Sequence, residues 1–341
     1  MTNYLKIVKI DEYSITPKYR QVVNAVMLGI EGGKIVKDDL LPSINELCIS
    51  LDISRNSVEK AYATLKKAGI VSSIAGKGYF IVQDQFKQPI KVLLLFNKLS
   101  VHKKMIYDAF ANALGATAAI DFYIYNNDFN VFKKLITEKI DEYSKCVIIP
   151  HFMENSDRAH EVINRIPKGK LILMDKLVKG VTGSFSAVYE DFEHDIYSAL
   201  EQLLEQLKKY HTLKIIFPKN TYHSKEIVKG FQTFCTKYDF DFETVNILKN
   251  EKLRPGTVYV SLMEDDLVEL IEKMINTNLI AGVDIGVISY NETPLKRVIL
   301  NGITTISTDF ELMGRLAAGL LVDSTNQHIA VPFKVKIRNS L

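Results

Sequence analysis

The sequence predicts two kinds of fold in series: an α+β head of three short helices and a hairpin, then a larger doubly wound α/β body. Three observations carry this. The 341 residues are 47% apolar, enough for more than one core. Up to about residue 65 the apolar residues recur at helical spacing. From Ile90 onward, short unbroken apolar runs alternate with amphipathic stretches, the rhythm of buried parallel strands crossed by helices.

In the head, Val22, Val23, Val26, Met27 and Ile30 form the apolar face of a helix from Lys18 to Glu31, ended by Gly32-Gly33. Ser43 stands three residues before Glu46, the capping-box spacing, and opens a second helix that runs to about Leu51. Ser54 caps a third, whose stripe of Val58, Ala61, Tyr62 and Leu65 lasts until Gly69. Ile70–Ile74 and Tyr79–Val82 read as strands flanking the turn Ala75-Gly76-Lys77-Gly78. Three helices and a hairpin make a winged helix-turn-helix. Over residues 13–82 the chain resembles the GntR family of bacterial regulators. The resemblance rests on Pro17-Lys18-Tyr19-Arg20-Gln21, Gly33-Lys34, Leu41-Pro42-Ser43, Glu46-Leu47, Ile53-Ser54-Arg55-Asn56-Ser57-Val58 and Gly76-Lys77-Gly78-Tyr79-Phe80.

The body offers strands at 90–96, 120–125, 146–149, 171–174, 213–217, 258–261 and 283–289. It resembles the LacI-type, periplasmic-binding-protein-like effector domain through Met174-Asp175-Lys176, Ala187-Val188-Tyr189-Glu190-Asp191, Lys229-Gly230-Phe231, Asp284–Glu292, Thr304-Thr305-Ile306, Met313-Gly314-Arg315 and a closing strand at Ile337–Ser340. The resemblance implies a head at 1–82, a linker at 83–89, and an effector-binding and dimerisation domain at 90–341. Lobe 1 would hold about 90–188 and 303–323, and lobe 2 about 189–302 and 324–341.

A helix presented to the major groove leads with its N-terminal turn, where free amides attract phosphate. That turn is Ser54-Arg55-Asn56-Ser57. Arg55 can fork onto guanine, Asn56 can pair adenine, and the serines suit phosphate oxygens. The resemblance adds Ser43 and Asn45 ahead of it, and a wing of Gly76, Lys77 and Gly78. Relatives often carry arginine where this chain has Asn45 and Glu59, so its base preference is expected to differ.

In two-lobed α/β domains a ligand sits at the carboxyl ends of strands. Candidates there are Asn97, His151, Phe152, Asp191, Tyr222, Glu264 and Asn291, with Lys225 standing near the place where sugar-binding relatives keep an arginine. Amides and carboxylates pair ring hydroxyls and an aromatic face stacks on a sugar, so a neutral sugar or sugar derivative is the expected effector.

Net charge is +3. The first 88 residues hold 12 basic and 9 acidic groups, while the remainder balances at 31 of each, so the surplus sits in the head. No run is long and apolar enough to span a bilayer, and the start lacks a signal-peptide pattern; a cytoplasmic protein with no membrane partner is expected. Cys48, Cys146 and Cys235 are expected to stay reduced. No nucleotide-binding, hydrolase or metal-ligand motif occurs, so no catalytic residue, cofactor or metal is assigned and no enzyme is expected. The expected partners are a pseudo-palindromic DNA duplex, a small-molecule effector and a second copy of the chain. Lobe closure would alter the spacing of the two heads through the linker. The alternatives are a body that only dimerises, or a solute-binding protein.

Overall fold

Each helix of the head starts where the sequence supplies a cap. The computed structural model describes residues 8–12, 14–74, 78–83, 90–323 and 326–341. Helix α1 (Lys18–Glu31) follows Pro17. Helix α2 (Ile44–Leu51) opens on a full capping box, with Ser43 N donating to Glu46 Oε2 at 2.7 Å and Glu46 N to Ser43 Oγ at 3.2 Å. Asp52, in the left-handed region at φ 49°, turns the chain into α3 (Arg55–Lys67). Strands β1 (Val71–Ile74) and β2 (Gly78–Ile81) pair antiparallel behind it. Val22, Val26, Ile30, Val58, Tyr62 and Leu65 form the head's core. The wing-tip residues Gly76 and Lys77, and residues 84–89 of the expected linker, lie outside the described residues.

The body contains two six-stranded sheets. Lobe 1 uses β3 (Ile90–Phe96), β4 (Ala118–Ile124), β5 (Lys145–Ile148), β6 (Leu171–Asp175), β7 (Ser186–Tyr189) and β13 (His328–Ala330), in the order β13-β7-β6-β5-β3-β4, all parallel. Helices α4 (Val101–Leu114) and α11 (Phe310–Asp323) cover one face; α5 (Phe129–Lys139) and α6 (Ala159–Ile163) cover the other. Lobe 2 uses β8 (Thr212–Ile216), β9 (Asp241–Val245), β10 (Thr257–Ser261), β11 (Ile285–Tyr290), β12 (Thr304–Thr308) and β14 (Phe333–Lys336), in the order β14-β12-β11-β10-β8-β9, with only β14 antiparallel. Around it lie α7 (Phe192–Gln202), α8 (Leu204–Leu207), α9 (Lys225–Lys237) and α10 (Glu264–Thr277).

Two expected boundaries need correction. Residues 304–308 belong to lobe 2, because β12 pairs with β11 and β14; residues 328–330 belong to lobe 1, because β13 adds to β7. The chain therefore crosses between lobes three times, near 190, 309 and 331. The closing strand is also displaced, to Phe333–Lys336. Beyond it, Arg338 N donates to the Thr304 side chain at 2.9 Å and Thr304 N to the buried Ser340 Oγ at 2.8 Å, while Ser340 keeps backbone bonds to Gly302 and Val287.

The head does not hang on its tether. It packs directly on lobe 1, with α1 lying against β4. Arg20, only 2% exposed, reaches the carbonyl ends of α4 at Ala111 and Gly115. Asn24 Nδ2 donates to Ile120 O at 3.2 Å, and Phe122 N donates to Thr16 Oγ1 at 3.0 Å.

Within lobe 1, α11 and α4 approach so closely that a Cβ on Gly314 would lie 2.4 Å from Ile106 O. Gly314→Ala is therefore expected to cost about 1–3 kcal/mol of stability, as overpacking against backbone does; chemical denaturation checks it.

Candidate DNA-reading face and interlobe cleft

The turn Ser54–Ser57 is the capped start of α3. Ser54 Oγ caps the helix by accepting from Ser57 N at 3.3 Å and meets Ser57 Oγ at 2.9 Å, so the two hydroxyls are tied to each other. Arg55 is exposed but held: Nε donates to Glu59 Oε1 at 2.8 Å and Nη1 to Asn45 Oδ1 at 3.1 Å. The structure thus brings Asn45, Arg55 and Glu59 together on one surface beside exposed Asn56. Glu59, noticed in the sequence only as a departure from relatives, orients the arginine through i,i+4 spacing. Ser43 is occupied by its capping box. Gly78 opens β2 at φ 91°, a conformation that favours glycine.

Between the lobes lies a buried polar cluster centred on Asp175, the last residue of β6, itself at φ 75°. Its Oδ2 accepts from Lys103 Nζ at 2.6 Å and from His151 Nε2 at 2.6 Å. Burial opposes its charge, but Lys103 and then His151 hold the carboxyl well below its ordinary range. Glu190, which follows β7, is also buried; desolvation, with the Asp175 charge added, pushes it well above the ordinary range. One carboxyl of the pair is ionised and the other keeps its proton.

Lobe 2 meets this cluster through Tyr222 and Tyr290. His151 Nδ1 lies 3.2 Å from Tyr222 O. With a carboxylate on one side and a carbonyl on the other, only the imidazolium donates to both, whereas burial lowers the pKa of that ring. The Lys98 ammonium sits 4.2 Å from the centre of the Tyr222 ring and donates to its hydroxyl. Tyr290 contributes a buried phenol raised well above its ordinary range, chiefly by burial. His102 and His223 are pushed down to about 3, chiefly by burial, and stay neutral.

The expected effector residues divide accordingly. His151 and Tyr222 face each other across the lobes. Asn97 follows β3 fully buried, its Nδ2 donating to Asn127 Oδ1 at 2.7 Å. Asn291 follows β11 at φ 64°, its carbonyl accepting from Lys296. Phe152 corrects an expectation: it packs with Tyr125, Phe129 and Phe132 in the core of lobe 1, because the chain turns back under the sheet after Pro150. Asp191 is an exposed cap of α7, Lys225 is exposed at the start of α9, and Glu264 is tied at 2.9 Å to the buried Lys296. None of these three joins the Asp175 cluster. Sequence reading missed Lys98, Lys103, Asp175 and Glu190 as site residues, although Asp175 and Glu190 stand within the segments that carried the resemblance.

Residues 18–81 match the family described as "Bacterial regulatory proteins, gntR family". They form a GntR-family helix-turn-helix domain. This GntR domain accounts for the likeness to the HTH-type transcriptional repressor YtrA of Bacillus subtilis, 29% identical over 100 residues, which cover 29% of this chain and 73% of that protein. The body's fold is matched by a probable maltose operon transcriptional repressor from Staphylococcus aureus, with TM-score 0.62 and 14% identity over 75% of this chain and 99% of that one. The Lac repressor bound to ONPG matches with TM-score 0.62 and 14% identity over 85% of this chain and 92% of that one. At such identity the likeness is one of fold: a GntR head on a LacI-type bilobal body.

The carboxyl pair generates a pH effect. Folding holds Glu190 protonated, so its contribution is complete below the ordinary value of 4.5 and is lost as pH rises toward its raised folded value. Asp175 stays ionised across that range. Glu190→Gln should therefore melt progressively higher than the parent above pH 4.5, the gap growing by at most about 1.4 kcal/mol per pH unit; melting curves at stepped pH check it.

Proposed function

We propose that the chain is a transcription regulator that binds duplex DNA through its GntR domain and changes its grip when a small molecule binds between the lobes. The observation that carries this reading is the pairing of a GntR head with a two-lobed body whose polar groups meet from both sides of the cleft. Asn97 Oδ1 and Asn291 Oδ1 are buried with no hydrogen-bond partner among the described residues, and Glu190 and Tyr290 bring a buried carboxyl and phenol to the same cleft. Leaving such groups unpaired costs about 1–3 kcal/mol each. A hydroxyl-rich ligand offers donors and acceptors to all four, and the Tyr222 ring suits the apolar face of a sugar, so a sugar or sugar derivative is the effector class. The reading includes a homodimer on a pseudo-palindromic operator, placed in the cytoplasm and performing no catalysis. No helix among the described residues is long and apolar enough to cross a membrane.

Two measurements test it. A thermal-shift panel of neutral sugars and sugar phosphates should yield at least one compound that raises the melting point by mass action and alters duplex affinity. If no compound moves either quantity, the body only dimerises. Arg55→Ala should weaken binding to the duplex upstream of the protein's own gene by about 1–3 kcal/mol, the worth of one forked base contact; unchanged affinity in fluorescence anisotropy at fixed salt removes Arg55 from the reading face.

A further inference from the structure

We propose that the seat of the head on lobe 1 is an autoinhibitory latch, and that the protein must release it to place α3 in a duplex. This rests on the regulator reading above and concerns the state in which the head is held. A helix reads DNA by sinking into a major groove about 12 Å wide, and the helix with its side chains is itself about 10–12 Å across. Both flanks of α3 must then be free for the two backbones that wall the groove. Here one flank is taken. Asn56, Ser57 and Lys60 face Val101, Lys104 and Asp108 of α4 across a groove of about 720 Å³. Further along, Lys60, Thr64 and Lys67 face Asn112 and Gly115 across a second groove of about 790 Å³. The stripe Asn56, Lys60, Thr64 and Lys67 of α3 thus faces α4 across these grooves, so a duplex backbone flanking this side of the helix would meet lobe 1.

The contact that holds this pose has the chemistry of a reversible latch. Arg20 donates to Ala111 O and Gly115 O at the carbonyl end of α4, where the helix dipole favours a cation. Asn24 and Thr16 satisfy an outward carbonyl and an outward amide of β4, which is the edge strand of its sheet. Each of these groups can return to water when the head leaves, so release leaves no buried polar group unpaired. Neither Arg20 nor Asn24 belongs to the apolar core of the head, into which Ala116 of lobe 1 also packs.

The experiment uses the full chain and a fluorescein-labelled duplex from the region upstream of its gene, with a random-sequence duplex alongside. Arg20→Ala and Asn24→Asp should each bind both duplexes at least five-fold more tightly than the parent while keeping its circular dichroism. Parent-like or weaker binding by folded variants overturns the latch. Should the variants fail to fold, hydrogen exchange on the parent decides the matter. On saturation with duplex, judged by anisotropy, the Phe122 amide should exchange faster as it loses Thr16; unchanged or slower exchange overturns the latch. If parent and variants alike bind neither duplex, the regulator reading falls and the latch with it.

Discussion

A single ionised carboxylate, that of Asp175, fixes the arrangement of the cleft. A charge so deeply buried is stable only with partners in good geometry, since removing one partner leaves an uncompensated charge. Asp175 therefore dictates where Lys103 and His151 stand, and through His151 it dictates where Tyr222 of the opposite lobe can settle. Its left-handed backbone, tolerated by aspartate better than by most residues, turns the carboxylate at the end of β6 into the space shared by both lobes. Glu190 pairs with it only by keeping a proton.

Local signals were legible in the sequence because they act over a few residues. Ser43 with Glu46, Ser54 with Ser57, and the stripe from Val58 to Leu65 all lie where spacing alone puts them. The strand runs from Ile90 onward likewise announce buried parallel sheets. Lobe membership is different in kind. Whether 304–308 joins one sheet or the other depends on partners far along the chain, and no periodicity records it.

The candidate site was half legible for a similar reason. Strand ends could be named, but Glu190 and Asp191 are adjacent carboxylates, and only the structure shows that one points into the cleft while the other caps α7 in solvent. Arg20 and Asn24 stand one helical turn apart on the polar side of α1, a pattern indistinguishable from a solvated face until lobe 1 is seen covering it. Phe152 looked like a stacking platform because it follows a strand; aromatic neighbours on α5 claim it instead.

Helix α4 joins the cleft to the head. Its first turn carries Lys103, which belongs to the cleft, and its last carbonyls receive Arg20, which belongs to the head. Fourteen residues make a rod about 21 Å long, and hydrogen-bonded helices transmit axial displacement with little compression. A displacement at the cleft end of α4 thus has a stiff route to Arg20 and the head.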